Sequence, residues 1–222
     1  SSNVTYGVPH VLPVSEDTPI NPIEAYGKSK AQAEKELEKF KHDMNIQIFR
    51  CPVITGVGRL GLQAILFEFI SENRNVYVLG NGDNTYQFID ANDVTAALEL
   101  SSHKLGFDIY VIGGDGAMPL GQMYKKVIEY AKSSSKIISL PKKPALMALS
   151  LLDKMNISPL GVYQYSMLGR SMYADTTKIK KVLGWKPKKS NLQSFLENYH
   201  WYIAQKNTFA EVGNGRTSSN RS

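Results

Sequence analysis

Tyr26 and Lys30 stand four residues apart in the segment YGKSK, at the start of a stretch rich in helix formers. On a helix that spacing puts both side chains on one face. The chemistry such a pair suits is proton transfer. A free tyrosine titrates near 10, too high for a base at neutral pH, but a neighbouring ammonium favours the phenolate. The pair can then serve as a general acid/base at a substrate hydroxyl or carbonyl. Spacing alone does not single it out. The chain has 12 tyrosines, and Tyr202 with Lys206 repeats the pattern in YHWYIAQK. There a core aromatic on a terminal helix is the simpler reading.

Other candidates offer less. Gly56-Val57-Gly58-Arg59-Leu60-Gly61 matches G-x-G-x-x-G, with Asp83 some way downstream. Taken alone it could be a dinucleotide fingerprint. However, Pro52 interrupts the strand that should precede it, and Asp83 sits in a turn. The four histidines, His10, His42, His103 and His200, are scattered without a ligand-pair spacing, so no metal site is expected. Cys51 is the one cysteine, which excludes an intrachain disulfide framework. It reads as a small buried residue rather than a nucleophile.

Elements must position any of these groups. Residues 1–23 read as a loop, broken by Pro9, Pro13, Pro19 and Pro22. Helices are expected over 24–44, 60–73, 92–103 (capped by Asn92) and 118–132, and strands over 46–50, 76–79, 86–89, 108–112 and 136–140. Further on, 144–154, 159–168, 176–183 and 192–205 read as helices. Strands alternating with helices argue for a parallel α/β sheet, and the helix-rich second half for a smaller lobe. The apolar helix 62–70 is either core or a dimer helix, with core as the default.

The 222 residues are 42% hydrophobic and 21% charged, which fits a globular chain and excludes general disorder. No apolar run is long enough to span a membrane. The net charge is +6, with its densest part at 178–189, KIKKVLGWKPKK. A solvated helix face explains that stretch better than a nucleic-acid surface, whose test would be salt-dependent binding.

Context around Tyr26 carries more than its spacing. Ser1-Ser2-Asn3-Val4-Thr5-Tyr6-Gly7 lies upstream and Glu34 follows Lys30. Then come Arg50-Cys51-Pro52-Val53-Ile54-Thr55-Gly56, Gly80-Asn81-Gly82 with Phe88-Ile89-Asp90-Ala91-Asn92-Asp93-Val94, and Asp175-Thr176-Thr177-Lys178 with Leu183-Gly184-Trp185-Lys186-Pro187. In order and spacing, across about residues 1–203, these blocks resemble the NAD-dependent epimerase/dehydratase family of the extended short-chain dehydrogenase/reductase superfamily.

That resemblance implies a fold and a set of roles. The fold would be the C-terminal part of a Rossmann-like parallel sheet plus a smaller, helix-rich substrate-binding lobe. Residues 1–140 would hold the partial Rossmann-like portion with interleaved lobe segments and 141–206 the mostly helical lobe. Residues 207–222 read as a polar, disordered tail. By position, Ser2 would hydrogen-bond the reacting oxygen, with Thr5 as the fallback on the substrate side. Tyr26 would be the acid/base, and Lys30 would bond the nicotinamide ribose. Pro52 and Val53 would line the nicotinamide, and NAD or NADP would be the cofactor. The 56–61 glycines become a loop near the substrate, with Arg59 facing the cleft or the domain boundary.

There are departures. Where members that use nucleotide sugars often carry an arginine, this chain has Tyr86, and Arg170 is the remaining candidate for a substrate phosphate. The family's Gly-rich turn is expected before Ser1, in an N-terminally truncated reading of the chain. The implied activity is an epimerase, dehydratase or reductase acting on a sugar nucleotide or another alcohol, sterol-like and flavonoid-like ones included. The protein is expected in the cytoplasm, as a possible homodimer, without nucleic-acid or membrane partners. The alternative is a non-catalytic scaffold derived from the same fold.

Overall fold

A computed structural model describes residues 1–61, 63–145, 147, 167 and 169–218, with side chains through residue 206. The order of elements carries the α/β alternation expected. Strand β1 (Ile46–Arg50) pairs in parallel with β6 (Phe107–Val111), and β2 (Val53–Thr55) in parallel with β5 (Phe88–Asp90). β3 (Val76–Leu79) pairs in parallel with β8 (Ile137–Leu140), while β4 (Thr85–Tyr86) runs antiparallel to β7 (Met118–Pro119). Pro52 does break the strand: β1 and β2 are successive pieces of one stretch with different partners.

The helices cover these pairs. They are α1 (Ala25–Glu38), α2 (Gln63–Ser71), α3 (Ala91–Ser101), α4 (Leu120–Tyr130), α5 (Thr177–Leu183) and α6 (Asn191–Ser218). α5 stops at Gly184, whose φ of 63° is the left-handed conformation glycine adopts freely. The cap of α3 is Asp90 rather than Asn92. Its carboxylate accepts from the Asn92 amide at 2.9 Å and puts a negative charge at the helix N-terminus.

Among the described residues, three apolar clusters form the interior. The largest gathers Phe67, Phe88, Met123, Val127, Phe195 and Tyr199 from α2, β5, α4 and α6. Phe67 and Ile70 of α2 are completely buried, so these positions are core. A second joins Phe49, Ile89, Tyr110, Ile112, Ile179 and Trp185 under the first parallel pair. The third is small, with Tyr6, Val14, Val111, Met167 and Met172. Residue Val14 is the strap at that seam: its amide donates to the Tyr173 carbonyl at 2.9 Å, and its carbonyl accepts from the Asp175 amide at 2.8 Å.

Several expectations change. Residues 3–6 of the supposed loop form a 3-10 turn capped by Ser2. The strand expected over 86–89 is two strands, split at Gln87. The Gln87 amide side chain donates to the Gly114 carbonyl and accepts from the Ala174 amide, so it ties the break to both flanks. α6 runs on to Ser218, where a disordered tail was expected; once its packed first half is formed, each further residue adds one hydrogen bond at little cost. The helices read over 144–154 and 159–168 fall largely outside the described residues.

Candidate active site

Glu24 starts the site. Its carboxylate accepts from the backbone amides of Tyr26 at 2.8 Å and Gly27 at 2.6 Å, capping α1 and fixing its first turn. Tyr26 therefore sits in that first turn with its ring 53% exposed. The half-buried Lys30 follows one turn on, its Nζ 5.4 Å from the Tyr26 ring centroid. The expected pair is formed and reachable from solvent.

Gly27 brings α1 against the serine segment. A Cβ there would lie 3.0 Å from the Val4 carbonyl oxygen and 3.0 Å from Pro22 Cβ, so any side chain would push the two segments apart by a few tenths of an ångström. Ser2 caps the 3-10 turn through a long contact from the Val4 amide to its Oγ, 3.4 Å, which leaves the hydroxyl proton uncommitted there. Ser2 also bridges in parallel to Cys51, and the Asn3 amide donates to the Cys51 carbonyl at 2.9 Å. Pro52 and Val53 follow directly, Pro52 buried and Val53 50% exposed. Ser2, Pro52 and Val53 thus lie just past the end of β1, and Gly27 packs the helix that carries Tyr26 and Lys30 against the same serine segment.

Thr5 is not part of this group. It is completely buried and its hydroxyl donates to the Ser2 carbonyl at 2.9 Å, so it holds the turn instead of facing a substrate. Tyr86 and Arg170 form a second group. Tyr86 bridges to Met172 from β4, and Met172 returns its amide to the Thr85 carbonyl at 2.8 Å. Arg170, exposed, leads into that segment. A small hollow lined by Asn3, Arg50, Pro52, Gln87, Val111 and Met172 lies between the two groups.

Sequence reasoning missed a third layer. Arg50 and Glu34 form an ion pair with side chains only 4% and 6% exposed. Arg50 Nη2 donates to Glu34 Oε2 at 2.8 Å, and Nη1 reaches the Tyr6 hydroxyl at 3.0 Å and the Glu16 carbonyl at 3.1 Å. Burial opposes the arginine's charge, but these hydrogen bonds outweigh it and hold its pKa above the ordinary value. Burial also pushes the Tyr6 phenol up to about 12, with Arg50 only partly offsetting it. The signal was present: Gly27, Ala31 and Glu34 make the buried stripe of α1. A carboxylate on such a stripe needs a buried partner.

Three further candidates from the sequence have local structural roles. Gly56–Gly61 begins as a tight turn in which Arg59 bridges back to Gly56, its amide 2.9 Å from the Gly56 carbonyl. A Cβ on Gly58 or Gly61 would meet no atom of the chain within 4 Å, so close packing does not require glycine there; their positive φ of 82° and 53° does. Tyr202 packs 5.9 Å from Phe67 in the core and Lys206 bonds Ser71 and Glu72. In the basic stretch, Lys178, Lys180 and Lys189 pair with Asp108, Asp115 and Asp90. Among the described residues there is no cluster of metal-ligating side chains and no helix long and apolar enough to cross a membrane.

Comparison with known proteins extends the picture. Residues 1–197 match the family model described as GDP-mannose 4,6 dehydratase. An uncharacterized protein, y4nG, of Sinorhizobium fredii is 36% identical over 219 residues, 97% of this chain and 55% of that protein. A UDP-glucose 4-epimerase of Lactobacillus helveticus is 25% identical over 91% of this chain and 62% of its own length. In fold, the chain is similar to a dTDP-glucose 4,6-dehydratase of Bacillus anthracis in complex with NAD, with TM-score 0.70, 18% identity, and coverage of 93% and 61%. A UDP-glucose 4-epimerase of Thermotoga maritima with UDP-glucose gives TM-score 0.71 at 22% identity, covering 92% and 62%. The chain spans between half and two-thirds of these relatives' length.

Proposed function

Because this chain belongs to the NAD-dependent epimerase/dehydratase family, we propose that the protein containing it is an NAD(P)-dependent epimerase or dehydratase acting on a sugar nucleotide, with Tyr26 as its acid/base. The observation that carries the reading is the exposed Tyr26 ring beside the Lys30 ammonium, held by Gly27 against the segment bearing Ser2. Relatives named as UDP-glucose and UDP-arabinose 4-epimerases support the substrate class. Solved relatives in complex with NAD or NADPH support the cofactor.

The residues present fit the nicotinamide end of such a cofactor. Lys30 offers ammonium donors, and Val53 is an exposed apolar side chain at the start of β2. Lys30, Pro52 and Val53 would hold that end, where the bound cofactor supplies reversible hydride acceptance.

Tyr26 Oη takes the proton of the substrate hydroxyl on oxidation and returns it on reduction. The Ser2 hydroxyl donates to the same oxygen and stabilises charge developing there. Lys30 adds a positive charge beside the phenol. Tyr86 in the family's arginine position withholds a bidentate phosphate contact. Arg170, on the segment bonded to β4, is the cation proposed to replace it.

The test is Tyr26→Phe in the complete protein. Turnover of the sugar nucleotide should fall about 10²–10⁴-fold, the usual worth of a positioned acid/base, while the melting temperature holds. Unchanged turnover would refute the assignment.

A further inference from the structure

We propose that the buried pair Glu34–Arg50 is the positioning device that sets Tyr26 and Lys30 in register with the Ser2 segment. The inference rests on the enzymatic reading above but adds residues that touch neither substrate nor cofactor. Stepping about 100° per residue, Tyr26, Lys30 and Glu34 lie within roughly 80° of arc on α1. Glu34 is the inner edge of the face whose outer edge is Tyr26.

Every arm of the pair is used. Arg50 Nε lies 3.2 Å from both Glu34 oxygens and Nη2 takes Oε2. The Ser1 hydroxyl donates to Glu34 Oε1, immediately before Ser2. Arg50 Nη1 holds Tyr6, at the far end of the 3-10 turn, and the Tyr6 hydroxyl donates to the Ser15 carbonyl at 2.8 Å. Glu34 Oε1 and the Tyr6 hydroxyl thus clasp the serine segment at both ends. Beyond Ser15, the Val14 strap continues to residues 173–175, whose neighbour Met172 pairs with β4. One guanidinium therefore references α1, β1, the serine turn and the strap to one point.

Stability does not account for such a pair. Well-packed apolar replacements of buried ion pairs are often neutral or stabilising, whereas a planar fork imposes direction. What the pair contributes is geometry, and displacement of a reacting group by a fraction of an ångström is costly to rate.

The experiment compares the complete wild-type protein with Glu34→Gln and Arg50→Lys. Glu36→Gln is the control, an exposed α1 carboxylate that accepts from Gln32 and Lys39 on the same helix side. Two readouts are taken: kcat and KM for the sugar nucleotide, and the NMR shift of the Tyr26 ring with its NOE to the Lys30 side chain. Both pair variants should lower kcat by about tenfold or more with KM nearly unchanged, shift the Tyr26 resonance and weaken the NOE, while the control moves nothing. Arg50→Lys keeps the charge, so it decides the matter if Glu34→Gln does not fold. A lower melting temperature with kcat, Tyr26 shift and NOE unchanged would overturn the proposal. If the wild type turns over no sugar nucleotide, the NMR readout still judges the pair, and the failure then belongs to the functional reading.

Discussion

Tyr6 shows how much a single side chain does at this site. It is 1% exposed, stacks under Arg50 with the guanidinium 5.1 Å from its ring, and donates to Ser15. Burial lifts its phenol from 10.0 to about 12, so the folded chain keeps a proton that the unfolded chain releases. Its stabilising contribution is complete below pH 10 and is lost as pH rises towards 12. Unfolding free energy should therefore decline in that window, by about 1.4 kcal/mol per pH unit for each such proton. Urea midpoints at pH 9, 10 and 11 measure it. Tyr6→Phe should flatten the decline without abolishing it, because burial also raises Tyr124 to about 12.

At the scale of elements, the contact of α1 with the serine turn depends on Gly27. Alanine there gains up to about 1 kcal/mol of helix propensity, which offsets the strain of the new Cβ against the Val4 carbonyl. Gly27→Ala should thus leave the melting temperature within a few degrees. The helix must still shift by some tenths of an ångström, and kcat should fall about tenfold. Equal turnover by mutant and wild type would show that the approach is not needed. This division also explains what the sequence revealed. β1, β3 and the start of α1 were legible because apolar patterning and helix propensity are local signals. The split at Gln87 was not, since it depends on Gly114 and Ala174, which are far along the chain. The Glu34–Arg50 pair was hidden for the same reason: spacing shows a helix face, not the strand side chain that meets it. Thr5 and Ser2 look alike in sequence, and only the 3-10 turn decides which hydroxyl is buried.

On the scale of the whole molecule, the two large cores are interleaved rather than consecutive. α2 and α4 share one cluster with α6, while α5 packs with β1, β5 and β6. Both are closed by large aromatic side chains, whereas the seam rests on the small third cluster and on hydrogen bonds such as those of the Val14 strap. That imbalance has a kinetic meaning. Val14 and Tyr173 are separated by about 160 residues, and their pairing repays that closure with less apolar burial than either large core does. The seam should then be the last part to assemble and the first to open. In native-state hydrogen exchange, the Val14 and Asp175 amides should open at lower free energy than the Phe88 amide, which is bonded at 2.8 Å to the buried Asn191 side chain. A common opening energy for all three would mean a single cooperative unit. Separate energies would mean that the strap can open while both cores stay folded, a local fluctuation with its own rate.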